Sequence, residues 1–374
     1  MISILHVTDA AFSGALYAIT DMAREQAKRP DTRVAFAYVP RPESPDLEHI
    51  RALAGPDVHV ERLTTDPRFA SPMLLARLRG VLRRTEPDIL HLHSSRTGMI
   101  GRFVALLDGA RHRTVYSPHG FAFERTVSSP AMKRVYTGLE RAGARMAPAL
   151  ALCSPSEQRL AQASIPGART TVLANAVDVA RMQQIVRDHR RSAADAPLEV
   201  VHVARITEQK LVGRFGAIAE SWSRFTSVPA RFRWIGDGDR SLLPDSVEVT
   251  GWLEREEMLR TMANADVLLF TSAGEAMPMS LLESQAMGIP AVASRVVGVT
   301  DVVEDGVTGL LGETEDELRS ALVSLAEDPA RRHALGVAGT ARMSSLYDMS
   351  SLADRSFAAY STLGIRIPDL EGAS

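Results

Sequence analysis

One cysteine, Cys153, stands among 374 residues, which excludes an internal disulfide and a multi-cysteine metal site. A reducing cytoplasm fits this usage. No apolar run approaches the 18 or so residues of a membrane-spanning helix, so no spanning helix is expected. Residues 1–8, MISILHVT, lack a preceding basic segment and a following small-residue cleavage site, and read as a strand rather than a signal peptide. Charge of one sign is also missing. A formal net charge of -2 gives no support to bulk nucleic-acid binding, so partners have to be argued from local features. Lysine is nearly absent, with only Lys28, Lys133 and Lys210 among 43 basic residues, which makes each of the three worth locating.

What is present suits two domains, because 374 residues exceed one ordinary hydrophobic core. Short apolar runs alternate with longer helical patterns. In the first half, Ile4–Val7, Val34–Val39, Val58–Leu63, Ile89–His93, Arg113–Ser117 and Ala149–Cys153 read as strands, and Ala15–Lys28, Pro72–Arg84 and Ala131–Ala144 as helices. In the second half, Glu199–Ala204, Ala230–Ile235, Val247–Gly251, Val267–Thr271 and Ala291–Ser294 read as strands, and the chain past Gly309 as helical. Such alternation implies doubly wound parallel sheets, whose ligands lie beyond the carboxyl ends of the strands.

The stretch from Thr271 to Gly309 is the most explicit about chemistry. Glu275 and Glu283 flank a loop that turns into a helix, with seven residues between them. Ser280-Leu281-Leu282-Glu283 has the S-x-x-E pattern of a capping box, which predicts a helix start at Ser280. The free amides and dipole of that end favour an anion by about 0.3–1 kcal/mol at an exposed site. Two carboxylates beside a phosphate-binding helix end suit a sugar nucleotide, with hydroxyls on the carboxylates and phosphates on the amides of Met279 to Leu282. Glu283 reads either as a capping residue alone or as a ligand as well.

This stretch, with Ala286-Met287-Gly288-Ile289-Pro290-Ala291-Val292-Ala293 and Val297-Gly298 following the glutamates, resembles the donor-site signature of retaining family 4 glycosyltransferases. The resemblance implies the GT-B fold: two Rossmann-like doubly wound domains facing across a cleft, with a C-terminal helix crossing back to the first. It extends to Arg205 and Lys210, which resemble the family's cation pair on the donor diphosphate, with Leu211 where the family usually has glycine. It extends also to Ile235-Gly236-Asp237-Gly238 and to TVYSPHGFAFER, whose His119 corresponds to a histidine facing the donor sugar and β-phosphate. His119 is therefore expected to orient the donor and to stabilise departing charge. Ser13-Gly14, after the first strand, allows close approach of a phosphate. In this segment the family often has two glycines. Trp252, after the third strand of the second half, either flanks the base or belongs to a core or lid. Met277 and Pro278 complete the loop. Ser156 reads as a helix cap rather than a nucleophile, because no G-x-S-x-G elbow surrounds it.

The expected organisation is a first, acceptor-side domain over residues 1–178, a surface helix and linker over 179–197, a donor domain over 198–345 and a C-terminal segment over 346–374 packing back on the first. The resemblance implies a metal-independent, retaining hexosyltransferase. It would use no cofactor, with a UDP or GDP sugar as donor and a glycan, lipid-linked or small-molecule hydroxyl as acceptor in polysaccharide or glycoconjugate biosynthesis. Fixed cations at the diphosphate would lower the barrier as leaving-group charge develops. Three alternatives remain open: glycosylation of a soluble secondary metabolite, a nucleotide-sugar epimerase of the same fold, and a non-catalytic donor-binding subunit. The arginine-rich helices Met73–Arg84 and Lys133–Arg145 leave room for peripheral contact with the inner membrane face.

Overall fold

Strands of three to seven residues, most of them apolar, form two parallel sheets in a computed structural model that describes residues 1–63, 70–124, 129–190 and 196–367. The chain divides into two compact units, the first built from residues 1–124, 129–176 and 349–367 and the second from 177–348.

In unit 1 the strands are β1 (Ile2–Thr8), β2 (Thr32–Tyr38), β3 (Val58–Arg62), β4 (Ile89–His93), β5 (Thr114–Ser117), β6 (Ala149–Leu152) and β7 (Arg169–Val172). Their order is β3-β2-β1-β4-β5-β6-β7, all parallel. Helices α1 (Ser13–Ala27), α2 (Leu47–Ala54), α3 (Ala70–Thr85), α4 (Ser95–Leu107), α5 (Pro130–Met146) and α6 (Pro155–Ser164) supply the crossovers. Two hydrophobic clusters result, one containing Ile4, Ile19 and Phe36 and the other Leu5, Leu92 and Leu150. Strand order reverses between β1 and β4, so the loops after those strands open the crevice where ligands of such sheets bind.

Unit 2 repeats the plan. Its helix α7 (Val179–His189) precedes β8 (Leu198–Val203), and the alternation continues through α8 (Val212–Ser221), β9 (Ala230–Ile235), β10 (Val247–Val249), α9 (Arg255–Met262), β11 (Val267–Phe270), α10 (Met279–Ala286), β12 (Ala291–Ser294), α11 (Val299–Val302), β13 (Gly309–Gly312), α12 (Glu315–Glu327) and α13 (Pro329–Leu346). The sheet order is β10-β9-β8-β11-β12-β13, with its reversal between β8 and β11. Trp234, Phe215 and Leu269 lie in its core. The segment expected as a surface helix and linker is largely α7, whose Val179, Met182 and Ile185 are buried and whose Gln183 Nε2 donates to the Ala286 carbonyl at 2.5 Å. Val177 and Asp348, the two points where the chain passes between units, are bridge partners, and the Val177 amide donates to Tyr347 O at 2.9 Å.

The chain then returns to unit 1 as α14 (Leu352–Thr362), which buries Phe357 and Tyr360 in the cluster containing Ile4 and Ile19. Unit 1 is thus discontinuous in sequence.

Strand positions follow the sequence expectation, with two omissions. β7, RTTV, is a partly exposed edge strand with one apolar residue, and β13 offers only two apolar residues between glycines. Neither has a run long enough to announce itself. The chain beyond Gly309 consequently begins as a strand and becomes helical at Glu315.

Candidate functional site

The loop after β8 carries Arg205, exposed, and Lys210, half-buried at the end of a 3-10 turn over Glu208–Lys210. Next to it across the β8–β11 reversal lies the loop after β11. The two are laced together by hydrogen bonds: Thr271 Oγ1 donates to Lys210 O at 2.8 Å, the Ala273 amide to Gln209 O at 2.9 Å, Ser272 Oγ to the same carbonyl at 3.3 Å, and Gln209 Nε2 to Gly274 O at 3.2 Å. This lacing brings Lys210 Nζ to 2.5 Å from Glu275 Oε1, the same oxygen that accepts from Ser272 Oγ at 2.7 Å. Cation and carboxylate, 65 residues apart in sequence, are therefore one feature.

Several glycines make this approach feasible. Gly236 and Gly238 have φ of 142° and 149°, and a Cβ on either would meet the Ala204 or Ile206 carbonyl at 2.1 or 2.4 Å. The Gly-Asp-Gly turn thus lies flat against the loop bearing Arg205, and the Ile206 amide donates to Asp237 O at 2.9 Å. Gly298, φ 77°, backs onto the other loop in the same way, 2.3 Å from Ala276 O and 2.5 Å from Glu275 O at its notional Cβ. Leu211, by contrast, takes φ 48° with a full side chain, which explains why a glycine suits that position.

Helix α10 starts at Met279 with Pro278 as N-cap, and no side chain caps it. The box expected from Ser280 and Glu283 does not form, because the helix begins one residue earlier and Glu283 is turned inward. A capping box does occur at α12, between Thr314 and Glu317. The amides of Leu281 and Leu282 both return to the Pro278 carbonyl, at 3.2 and 3.3 Å. Among the described residues, the amides of Met279 and Ser280 have no protein acceptor, so an anion at this helix end would meet these two. Met277, Pro278 and Met279 are buried, and Ser280 is partly exposed. Glu283 is 1% exposed and lies 2.8 Å from Arg255 at the start of α9, a partner that its place in a glutamate-rich segment did not reveal. Trp252 is 58% exposed, which removes the core reading for it.

In unit 1, Ser13 and Gly14 are the first residues of α1, after the loop from β1. That loop holds Asp9, which sequence reasoning passed over: its carboxylate is buried, bonded by Ser94 and Thr97 and paired with Arg41 at 2.6 Å. Burial alone would raise its pKa, and these hydrogen bonds and the guanidinium hold it below the ordinary value. His119 follows β5 with φ 52°, half-buried, its Nε2 2.9 Å from His93 Nδ1 and its Nδ1 3.4 Å from Cys153 Sγ. Burial lowers its pKa to about 4. The N-cap of α6 is Ser154 rather than Ser156: Ser154 Oγ accepts from the Glu157 amide, and Pro155 takes the first helical position. Glu157 in turn accepts from the Gly120 and Cys153 amides at 2.9 and 2.8 Å, fixing the loop after His119.

Two parallel α/β units, with a cation–carboxylate pair and an amide-bearing helix end at the sheet reversal of the second, define the class of GT-B glycosyltransferases. Residues 13–176 match the glycosyl transferase 4-like domain family and residues 197–328 the family of glycosyl transferases group 1. The chain belongs to these glycosyltransferases. It is 27% identical over 276 residues, 68% of its own length and 70% of the relative's, to the UDP-Gal:alpha-D-GlcNAc-diphosphoundecaprenol alpha-1,3-galactosyltransferase of Escherichia coli. Among solved structures it resembles sucrose-phosphate synthase from Thermosynechococcus elongatus, with TM-score 0.77, 18% identity and coverage of 97% of this chain and 99% of that one. It resembles Anabaena HepE in complex with UDP and glucose equally well, with TM-score 0.77, 19% identity and coverage of 96% and 100%.

Proposed function

We propose that the chain transfers a hexose from a nucleoside-diphosphate sugar, UDP or GDP, to a hydroxyl of a glycan or lipid-linked glycan, with retention of anomeric configuration and without a metal. The observation that carries this reading is the Lys210–Glu275 pair beside the free amides of α10. In the assignment, Arg205, Lys210 and the Met279 and Ser280 amides hold the diphosphate, and Glu275 takes hydroxyls of the sugar. Charge-assisted bonds of this kind contribute about 1.5–3 kcal/mol each. Glu283, tied to Arg255, takes the ribose, and Gly236 and Trp252 border the nucleotide. Unit 2 is the donor side and unit 1, with Gly14 and His119, the acceptor side. As the glycosidic bond breaks, charge grows on the diphosphate, and the two cations stabilise it more in the transition state than in the ground state. The acceptor hydroxyl enters on the leaving-phosphate face and gives its proton to the departing phosphate.

The acceptor assignment draws on the Escherichia coli relative, whose name specifies a diphosphoundecaprenol-linked sugar. It also draws on exposed apolar side chains of two helices that pack together, Phe103, Leu106 and Leu107 of α4 and Met132, Val135 and Leu139 of α5, accompanied by exposed Arg134, Arg141 and Arg145. Exposed apolar side chains among arginines suit the surface of an anionic membrane, the place where a polyprenyl-linked acceptor resides.

Incubation with individual UDP, GDP, ADP and TDP sugars and a polyprenyl-diphosphate-linked sugar, followed by mass spectrometry and NMR of the product, tests the reading. Release of nucleoside diphosphate only with acceptor, an unchanged anomeric configuration and activity in excess EDTA are expected. An inverted product, loss of activity with EDTA, or sugar epimerisation without acceptor would each overturn the corresponding part.

A further inference from the structure

Unit 1 contains a largely buried polar chain of which the proposed transfer chemistry uses only His119. It runs from Cys153 through His119, His93 and His6 to Gln26, and from there to Ser356 and Tyr360 of α14; Tyr360 continues to His91, Ser117 and the Ala151 carbonyl.

The direction of every proton in it can be worked out from one end. The Ser356 hydroxyl donates to Ala353 O at 2.6 Å, so its oxygen accepts from Gln26 Nε2 at 2.8 Å. That orients the amide and puts Gln26 Oε1 2.7 Å from His6 Nε2, where an oxygen can only accept. His6 therefore carries its proton on Nε2, and its Nδ1 accepts from His93 Nε2 at 2.9 Å. His93 Nδ1 then accepts from His119 Nε2, also at 2.9 Å. His119 Nδ1 is left as an acceptor facing Cys153, whose thiol is kept protonated because burial raises its pKa well above the ordinary value. On the other branch, Gln26 Nε2 donates to Tyr360 OH at 3.0 Å, Tyr360 to His91 Nδ1 at 2.9 Å, His91 Nε2 to Ser117 Oγ at 2.9 Å, and Ser117 to Ala151 O at 2.7 Å. Each link receives one hydrogen. The chain ends in an amide oxygen, which cannot take a proton away, so it locks tautomers rather than conducting protons.

One ring nitrogen from each of His6, His91 and His93 lies within 4.8 Å of the other two, close enough to suggest a metal site. All six nitrogens of these rings are engaged in the bonds just described, and a metal would have to displace them. The rings are uncharged: burial lowers His6 and His119 to about 4 and His91 and His93 well below the ordinary value. The carboxylates packed around the chain are already satisfied, Glu157 by two backbone amides and Asp9 by Arg41, Ser94 and Thr97.

We infer that Gln26, His6 and His93 are positioning residues that hold His119 as an uncharged Nε2–H tautomer, and that α14 sets this direction through Ser356. His119 then serves transfer without a positive charge. It does not stabilise the departing diphosphate, a role the family resemblance had implied, and leaves that to the cations of unit 2. This consequence rests on the proposed transfer reaction; the tautomer itself does not.

The test is an NMR titration of the full chain labelled with 15N-histidine between pH 5.5 and 8, alongside Gln26→Glu. In the parent, His6, His93 and His119 are expected to remain neutral Nε2–H tautomers throughout. The carboxylate of Gln26→Glu still accepts from His6 but stabilises a protonated ring. A ring of the chain should therefore titrate within this range, and transfer kcat should fall at least fivefold between pH 7.5 and 6, with donor KM within twofold of the parent. Tyr360→Phe, which leaves the Gln26–Ser356 bond, should keep the parental tautomers. A protonated or Nδ1–H His119 in the parent, parental titration and pH profile in Gln26→Glu, or a stoichiometric metal bound to the purified protein would each overturn the inference. Should Gln26→Glu not fold, the parental spectrum decides alone. Parental tautomers as expected, in a protein that transfers from no donor, would refute the transfer reading and leave the tautomer assignment standing.

Discussion

Lys210 and Glu275 neutralise each other at 2.5 Å across the reversal of the second sheet, and the proposed assignment gives each a different part of a sugar nucleotide to meet. With no ligand, the pair keeps a cation and a carboxylate from standing alone in a half-buried site. In the proposed assignment a diphosphate would compete for Lys210 and sugar hydroxyls for Glu275, so one ligand offering both would replace the pair at little electrostatic cost.

Lys210→Ala is expected to lower transfer by about 10²–10³-fold, the loss typical of one charge-stabilising donor. Stability should fall by about 1 kcal/mol or less, since both side chains keep solvent contact and Glu275 retains Ser272. Steady-state kinetics and a thermal melt check the two halves. Near-parental turnover would remove Lys210 from the site.

The Glu283–Arg255 pair should behave differently, because Glu283 is almost wholly buried. Glu283→Gln should weaken nucleotide binding and also destabilise the fold by roughly 2 kcal/mol, below the 3–5 of a fully buried pair. Adding Arg255→Met should restore much of the melting temperature without restoring nucleotide affinity. Calorimetric binding of free nucleoside diphosphate separates these effects. Glu275→Gln should spare free nucleotide and impair binding of the intact donor.

Leu211→Gly should be neutral or mildly stabilising. The left-handed conformation costs a leucine about 1–2 kcal/mol, more than the roughly 0.5–1 kcal/mol that glycine loses in chain entropy. A denaturant midpoint that drops would show that Leu211 packing outweighs its backbone strain.

Acid should destabilise the protein before carboxylates titrate. His6, His91, His93 and His202 are fully buried, and burial lowers each below its unfolded value, to about 4 for His6 and about 3 for His202. Their folded pKa values are depressed, so the stability they allow is complete above the unfolded value near 6.5 and declines as pH falls toward the folded ones. The slope reaches at most about 1.4 kcal/mol per pH unit for each ring. Calorimetry at pH 7 and pH 5 should show a lower transition at pH 5, with the larger shift in unit 1, which holds three of the four. Equal melting at both pH values would contradict the neutral assignment.

Much of the architecture was legible because buried parallel strands read as plain apolar runs, as in Ala149–Leu152 and Val267–Phe270. Lys210 was visible through the scarcity of lysine, and Glu275 through its spacing from Glu283. What was hidden depends on side chains finding one another in space. Arg255 lies 28 residues before the glutamate it neutralises, in a segment where arginine looks solvated. The helix start was misplaced because Ser280 offered a better cap by residue type than Pro278, whose extended backbone determines the outcome. Gln26 and His6 gave no signal, since a polar residue in an amphipathic helix or a strand looks ordinary until its bonds are traced.

The return of α14 to unit 1 has a consequence during synthesis. Residues 177–348 leave the ribosome before Ser356 and Tyr360 do, so the second unit can complete its sheet while the first still waits for its last helix. The histidines beneath that helix acquire their orientation only when nearly the whole chain has been made. A nascent chain can therefore complete unit 2 before unit 1 is finished, so any activity that needs both units waits until translation is almost over.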